Sequence, residues 1–486
     1  MTRRHGGTSA RWHAGTSARW IVVAGALAVV PTCRLASQDT SAIDRGVRIG
    51  IVYRPGVRPG MVMLPRKGID SLRAIVARDL DYSDRFEIIT LPGGDSIRLA
   101  ASAPTGTTAT PRKGAGSGRT QSASGSRTGG GGAQAIGSLN YPLYQALGAD
   151  FALDITVAGD TTVATLHDVG AAGVRRAIRA VLPAATDRDF RQAAHRLADQ
   201  IVQAAVGEPG IGATRVLFVS DGKVWQIDQD GADQKLVSST NRQAMSPAWA
   251  SDARHFAYME FQAGKGWLYL QDMVTGKRTP MSTTGTALDF TPAFSPDGAT
   301  MAFSRATEEG TDLYTINIKN NCCLRRLTVG RFSDNLSPTF SPDGQRIAFV
   351  STRPGLPQIY VMAADGTDQQ LFAPFDYGVT GSSNAPEWSP DGQSVAFHRD
   401  VAGTLQVFVL DVRTRTVRQL TSVGRNEDPS WAPDSRHLAF VSDRSGYRQL
   451  WIIDLDTGRI RPLLQVSGAR LPAWSPRLSE APSTTP

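Results

Sequence analysis

The sequence predicts an α+β N-terminal domain followed by an all-β, six-bladed propeller, and three observations carry that prediction. One short pattern, Pro-x-Trp/Phe followed by a small residue and usually Pro-Asp, recurs at Pro247, Pro292, Pro338, Pro386, Pro429 and Pro472, at intervals of 45, 46, 48, 43 and 43 residues. A period in that range belongs to stacked or radially arranged units. Strand signals also sit at fixed offsets inside the copies. An aromatic comes eleven residues after the proline (Tyr258, Phe303, Phe349, Phe397, Phe440), then an apolar-aromatic run such as Ile359-Tyr360-Val361, then a weaker run such as Leu420-Thr421. Four short antiparallel strands per unit make a propeller blade. Finally, the two ends are out of phase: Arg215–Ser220 matches a second strand, and Leu471–Trp474 matches a first strand. The last strand is therefore expected to complete the first blade and close the ring, leaving only short edges.

The elements before the repeat read in order. Residues 1–36 have the pattern of a cleaved export signal: arginines, then the apolar run Ile21–Val30, then small residues. That run is too short to span a bilayer. Cys33 follows Val30-Pro31-Thr32, a poor lipobox, so cleavage without lipidation is expected, and the mature chain belongs in the periplasm. The first domain is expected over 46–206. Strands are predicted at 47–52, 61–64 and 86–91, and a helix at 69–80 capped by Asp70 or Ser71. Residues 101–135 are mostly Gly, Ser, Thr and Ala with scattered Arg and Lys and no acidic residue, and read as a disordered insertion. A helix at 141–147, strands at 151–157, 162–166 and 174–181, and a helix at 187–206 follow. In the last helix Phe190, Ala194, Leu197, Ile201 and Val202 are expected on one face, and Arg191, Arg196 and Asp199 on the other. Gly207-Glu208-Pro209-Gly210 then marks the boundary before a propeller at 212–478 and a disordered tail at 479–486.

Composition narrows the function. The formal charge is +8, but much of the excess lies in the leader and in Arg112, Lys113, Arg119 and Arg127 of the insertion. Neither is a folded basic face with interleaved aromatics, so no nucleic-acid partner is expected. Cys322 and Cys323 are adjacent, and two ordinary thiols at a hairpin tip are the favoured reading. The histidines (His5, His13, His167, His195, His255, His398, His437) show no metal-ligand spacing, so no metal or other cofactor is expected. No nucleophile elbow, Walker loop or dinucleotide fingerprint occurs, and no catalytic residue is assigned. Asp297, Asp343 and Asp391, each between Ser-Pro and Gly, read as turn residues. Trp249, Trp388, Trp431 and Trp474 read as blade packing.

What remains is a binding surface. The segments just before each anchoring proline connect blades and are expected to converge on one face of the ring. They carry Asp289, Phe290, Arg331, Asp334, Asn335, Ser383, Asn384, Arg425, Asn426, Glu427 and Arg470. Polar, mutually different residues on converging loops suit a partner site.

The chain resembles the TolB family of the Tol-Pal system. The resemblance rests on the Val47-Arg48-Ile49 start, the small α/β domain, the Gly-Ala-Thr-Arg entry at 212–215, repeats such as Ser246-Pro247-Ala248-Trp249, and the Pro472-Ala473-Trp474-Ser475-Pro476-Arg477-Leu478 ending. It implies a monomeric, non-enzymatic periplasmic scaffold. The blade-connecting residues would bind the lipoprotein Pal. Val47, Arg48, Ile49, Ile51 and Tyr53 would engage the inner-membrane protein TolA, in support of outer-membrane integrity and constriction at division. Three features depart from the family: the 101–135 insertion, Arg48 and Arg54 with no carboxylate in the N-terminal segment, and Leu288 and Leu336 at blade-connecting positions. The alternative is the propeller of a peptidase-like or glycan-binding exported protein. The peptidase needs a hydrolase domain, and fewer than ten residues remain beyond Leu478; the glycan reading needs paired carboxylates facing the central channel.

Overall fold

The computed structural model describes residues 58–91 and 139–478, apart from 240, 263, 282–286, 332, 376–380 and 465–466. The predicted leader, the 47–53 segment, the 101–135 insertion and the tail lie outside the described residues.

In the N-terminal domain, apolar residues at helical spacing (Leu72, Ile75, Val76, Leu80) form α1 (Asp70–Tyr82), and a second such stripe forms α3 (Phe190–Val206). Neither expected side-chain cap forms on α1: Ile69 holds the N-cap position, and Asp70 is already in the first turn. Gly207, at φ 92°, ends α3 in the left-handed conformation that glycine adopts without strain. The five strands β1 (Gly60–Met63), β2 (Glu87–Ile89), β3 (Ala149–Ala158), β4 (Thr161–Asp168) and β5 (Gly173–Val181) make one sheet in the order β2-β1-β3-β4-β5. β1 runs parallel to both neighbours, and β3, β4 and β5 are antiparallel. The short helix α2 (Tyr141–Ala146) leads into β3, with Asn140 accepting the Leu143 N–H as its cap. The two long helices cover one face of the sheet, burying Met61, Phe86, Phe151, Leu166, Leu197 and Ile201 in a shared core.

The propeller has six four-stranded sheets. Five are built from consecutive strands. The first is completed by Arg470–Trp474, which pairs antiparallel with Arg215–Ser220 and so closes the ring as its phase predicts. Each first strand bulges at the residue before its anchoring proline, where the ladder register shifts and φ is positive. These residues are Ser246, Thr291, Ser337, Ala385, Asp428 and Leu471, with φ between 47° and 54°. A bulge re-aims the chain, and proline, which has no N–H to contribute to a ladder, fits beside it. The aromatics eleven residues on (Tyr258, Phe303, Phe349, Phe397, Phe440) are buried between blades.

One local expectation is corrected. Cys322 and Cys323 form a vicinal disulfide at the start of the fourth strand of blade 3 rather than two free thiols. Sequence adjacency brings the two sulfurs together, but the ring it closes is minimal and restricts the unfolded chain little. Reduction is therefore expected to shift the melting temperature by less than about 1 °C, measured by calorimetry with and without a dithiol; a larger shift would give the bond a structural role.

Candidate functional site

The repeated aspartates are turn chemistry. Asp297, Asp343 and Asp391 each accept the hydroxyl of the serine two residues earlier at 2.5 Å and a backbone N–H two residues later at 3.0 Å. The glycines after them take positive φ.

The ring has two unlike faces. Strand direction puts the first-to-second and third-to-fourth turns at one end of every blade, and the second-to-third and blade-connecting loops at the other. The N-terminal domain docks on the first end, over blades 6 and 1. Asp79 Oδ2 lies 2.6 Å from His195 Nδ1, and its other oxygen accepts Gln229 Nε2 at 3.0 Å. Arg191 donates to Asp230 at 2.6 Å. Asp199 accepts the N–H groups of Gly212 and Ala213 at 2.6 and 2.9 Å, tying the interdomain link to α3, and burial pushes its carboxyl up to about 7. The polar face of α3 thus turns Arg191 and Asp199 toward the propeller and the link that leads into it. Over blade 6, Arg459 binds Asp81 at 2.8 Å and Asp84 at 2.9 Å. The His437 ring sits between Asp434 (2.7 Å from Nδ1) and Asp84 (3.3 Å from Nε2).

Two His/Asp groups therefore meet at this junction although nothing in their spacing announces them: Asp79, His195 and Asp230, and Asp84, His437 and Asp454. They do not suit a metal ion. Guanidinium groups already occupy the cation's place, since Arg191 binds Asp230, and Arg436 binds both oxygens of Asp454.

At the opposite end the predicted partner residues separate into two layers. Only Arg331, Asp334 and Arg425 lie in loops; the others are the opening residues of first strands. Asp289, Asn335, Ser383 and Asn426 are fully buried. Each is held by an arginine 16 or 18 residues later. Arg305 binds both oxygens of Asp289 at 2.7 and 2.8 Å, and Arg353, Arg399 and Arg444 reach Asn335, Ser383 and Asn426 at 3.0 Å. The same guanidiniums lie over the blade's aromatic pair, for example Arg305 over Phe303 and Tyr314 at 5.4 and 5.0 Å. This is a repeated internal clamp, and the sequence signal for it is a polar residue three before the proline matched to an arginine 16 or 18 residues later. Phe290, Asp334, Asn384, Arg425 and Glu427 are half-buried, and Arg331 and Arg470 are exposed. Glu427 is bracketed by Arg425 (3.0 Å) and Arg448 (3.2 Å). Apolar groups stand open beside them: Val329, Leu356, Val423 and Tyr447 are all at least half exposed.

A cavity of about 410 Å³ lies on the ring axis, walled by the anchoring prolines other than Pro429 and by Trp249, Phe294, Phe340, Trp431 and Trp474. Among the described residues, Glu387 is the only charged one lining it. The paired carboxylates that glycan cleavage calls for do not face this cavity.

The model of the TolB beta propeller domain family matches residues 202–478, more than half of the chain. The chain belongs to the TolB beta-propeller family. The Tol-Pal system protein TolB of Bordetella pertussis is 27% identical over 190 residues, which cover 38% of this chain and 42% of that relative. TolB of Bordetella parapertussis matches to the same extent. The chain thus matches less than half the length of these curated TolB relatives. The crystal structure of TolB from Acinetobacter baumannii is 25% identical, with a TM-score of 0.69, and the match covers 87% of this chain and 98% of that one. The TolB likeness therefore takes in the N-terminal domain as well as the blades. No described helix is long and apolar enough to cross a membrane.

Proposed function

We propose that this chain is a Tol-Pal component acting as a periplasmic protein-binding scaffold. It binds a Pal-type lipoprotein through the blade-connecting face and a TolA-type protein through Val47, Arg48, Ile49, Ile51 and Tyr53. It performs no chemistry of its own, and its role is in outer-membrane integrity and constriction during division. The observation that carries the reading is the match to the A. baumannii TolB over 98% of that chain, N-terminal domain included. The layout of the ring supports the choice of face. The N-terminal domain covers part of the turn end, while the other end offers Val329, Leu356, Val423 and Tyr447 among Arg331, Arg425, Glu427 and Arg470. Apolar anchors ringed by charge are the composition of a protein interface. The 47–53 segment, read from its sequence as a strand, suits addition to a partner's sheet edge.

Calorimetry with the full chain and the cognate Pal-type lipoprotein lacking its lipid tests this. Binding is expected, with Arg470→Glu and Val423→Asp each weakening it by about tenfold or more. Deleting 46–54 is expected to remove TolA binding and leave Pal binding. Absence of Pal binding to the intact chain would overturn the assignment, and unaltered affinity in both face variants would move the site elsewhere.

A further inference from the structure

The residue after each anchoring proline points to a ligand site on the ring axis. In five repeats it is small: Ala248, Ala293, Thr339, Ser430 and Ala473. In the fifth blade it is Glu387. Three of these side chains do one structural job, accepting the N–H of the tryptophan that opens the next blade's wall. Thr339 Oγ1 accepts Trp388 N at 3.5 Å, Ser430 Oγ accepts Trp474 N at 2.9 Å, and Glu387 Oε1 accepts Trp431 N at 3.1 Å. A hydroxyl suffices at two of the three junctions. Glu387 Oε1 also takes the Ser430 hydroxyl at 3.3 Å. Glu387 therefore brings a second oxygen and a negative charge beyond what the blade contact uses, and Oε2 has no hydrogen-bond partner among the described residues.

That surplus faces a cavity whose other walls are proline rings, aromatics and small residues, with no cationic side chain among the described residues lining it. Its volume, about 410 Å³, falls in the roughly 300–1,000 Å³ range of small-molecule sites. One carboxylate among aromatic faces complements a single positive charge carried on an apolar stem: the carboxylate pairs with the charge, and the rings attract it through their quadrupoles. It offers far too few oxygens for calcium, which takes six to eight.

We propose that the axial cavity binds a primary alkylammonium ion, with its charge on Glu387 and its alkyl chain against Trp249, Trp431 and the proline ring wall. Burial raises Glu387, against the pull of Trp431 N–H and Ser430, to about 8, so the empty site is largely protonated at neutral pH. Binding then converts a carboxylic acid and an ammonium ion into a carboxylate–ammonium pair and releases one proton to solvent.

The test is titration of the full chain with n-butylammonium chloride at fixed ionic strength. Saturation-transfer NMR reads the contact, and calorimetry in two buffers of different ionisation enthalpy reads the proton. Saturable binding with net proton release at pH 7 is expected. Glu387→Ser, which keeps an oxygen for Trp431 N–H, should weaken it by about tenfold or more with little change in melting temperature. Equal binding of n-butanol, unchanged affinity in Glu387→Ser, or calcium chloride displacing the amine would each overturn the proposal, as would binding without proton release.

Discussion

Trp474→Ala is expected to open the ring. The Trp474 side chain is 5% exposed and packs in the core shared by the two blades that meet at the seam, with Val216, Phe218, Ala432 and Val441. Its indole N–H donates to Thr214 Oγ1 at 2.9 Å, and its backbone N–H donates to Ser430 Oγ at 2.9 Å. The same strand holds Val216, Leu217 and Val219 in the ladder of the first blade. Removing so large a buried side chain costs about 3–5 kcal/mol, and that loss falls on the one sheet whose strands come from both ends of the propeller sequence. The expected fall in melting temperature is roughly 8–15 °C. Trp388→Ala separates loss of packing from loss of closure. Trp388 is equally buried, but every strand of its blade is consecutive in sequence. Both variants should melt early, whereas amide exchange in 215–220 should rise only in Trp474→Ala. Equal protection of 215–220 in the two would show that the seam does not depend on this residue.

The ring and its closure were legible in the sequence because a blade repeats. Six copies of one proline-aromatic pattern fix the strand phase, and the mismatch of phase between Arg215–Ser220 and Leu471–Trp474 leaves only one way to pair them. The turn aspartates were legible for the same reason, since local hydrogen bonds over two residues repeat with the blade. The blade-connecting residues were read only in part. Asp289, Asn335, Ser383 and Asn426 look like loop polarity, and the arginines that bury them lie 16 or 18 residues away on the next strand. The domain junction was not legible at all. Asp84 and His437 are 353 residues apart, and Asp79 and His195 are 116 apart. No periodic pattern links such pairs, and a helix wheel puts Arg191 and Asp199 on the polar face without saying what that face meets. The axial Glu387 lay between these cases: its departure from the small residues at the same repeat position is visible, but its direction is set by the bulge before Pro386.

The junction over blade 6 should hold most firmly in mildly acidic solution and weaken as the solution becomes alkaline. Both His437 nitrogens face carboxylates, Asp434 and Asp84, so both must donate and the ring is an imidazolium. Burial opposes that charge, but Asp434, Asp84 and Asp454 outweigh it and raise the group to about 9. Arg436 and Arg459 stand beside the same carboxylates and keep their charge throughout. A pKa raised on folding means stability that is complete below the unfolded value of about 6.5 and is lost as pH climbs through 9, here about 3 kcal/mol in all. Asp434 works in the other direction. Burial opposes its charge, yet His437 pulls it well below the ordinary carboxylate range, so its contribution is present above that range and falls away on acidification. Asp84→Asn tests the arrangement with little change of shape, because asparagine tolerates the left-handed backbone that Asp84 holds at φ 52°. At pH 6 the variant should lose about 3 kcal/mol, since a buried imidazolium and Arg459 are left short of a counter-charge. By pH 10 the imidazole of the parent is itself neutral, and the gap between parent and variant should shrink to the contacts with Arg459 and Arg58. Melting temperatures of the two chains across pH 5–10 measure this directly. A gap that stays constant across that range would mean that His437 carries no charge at the junction, and that Arg459 and Arg58 hold Asp84 without it.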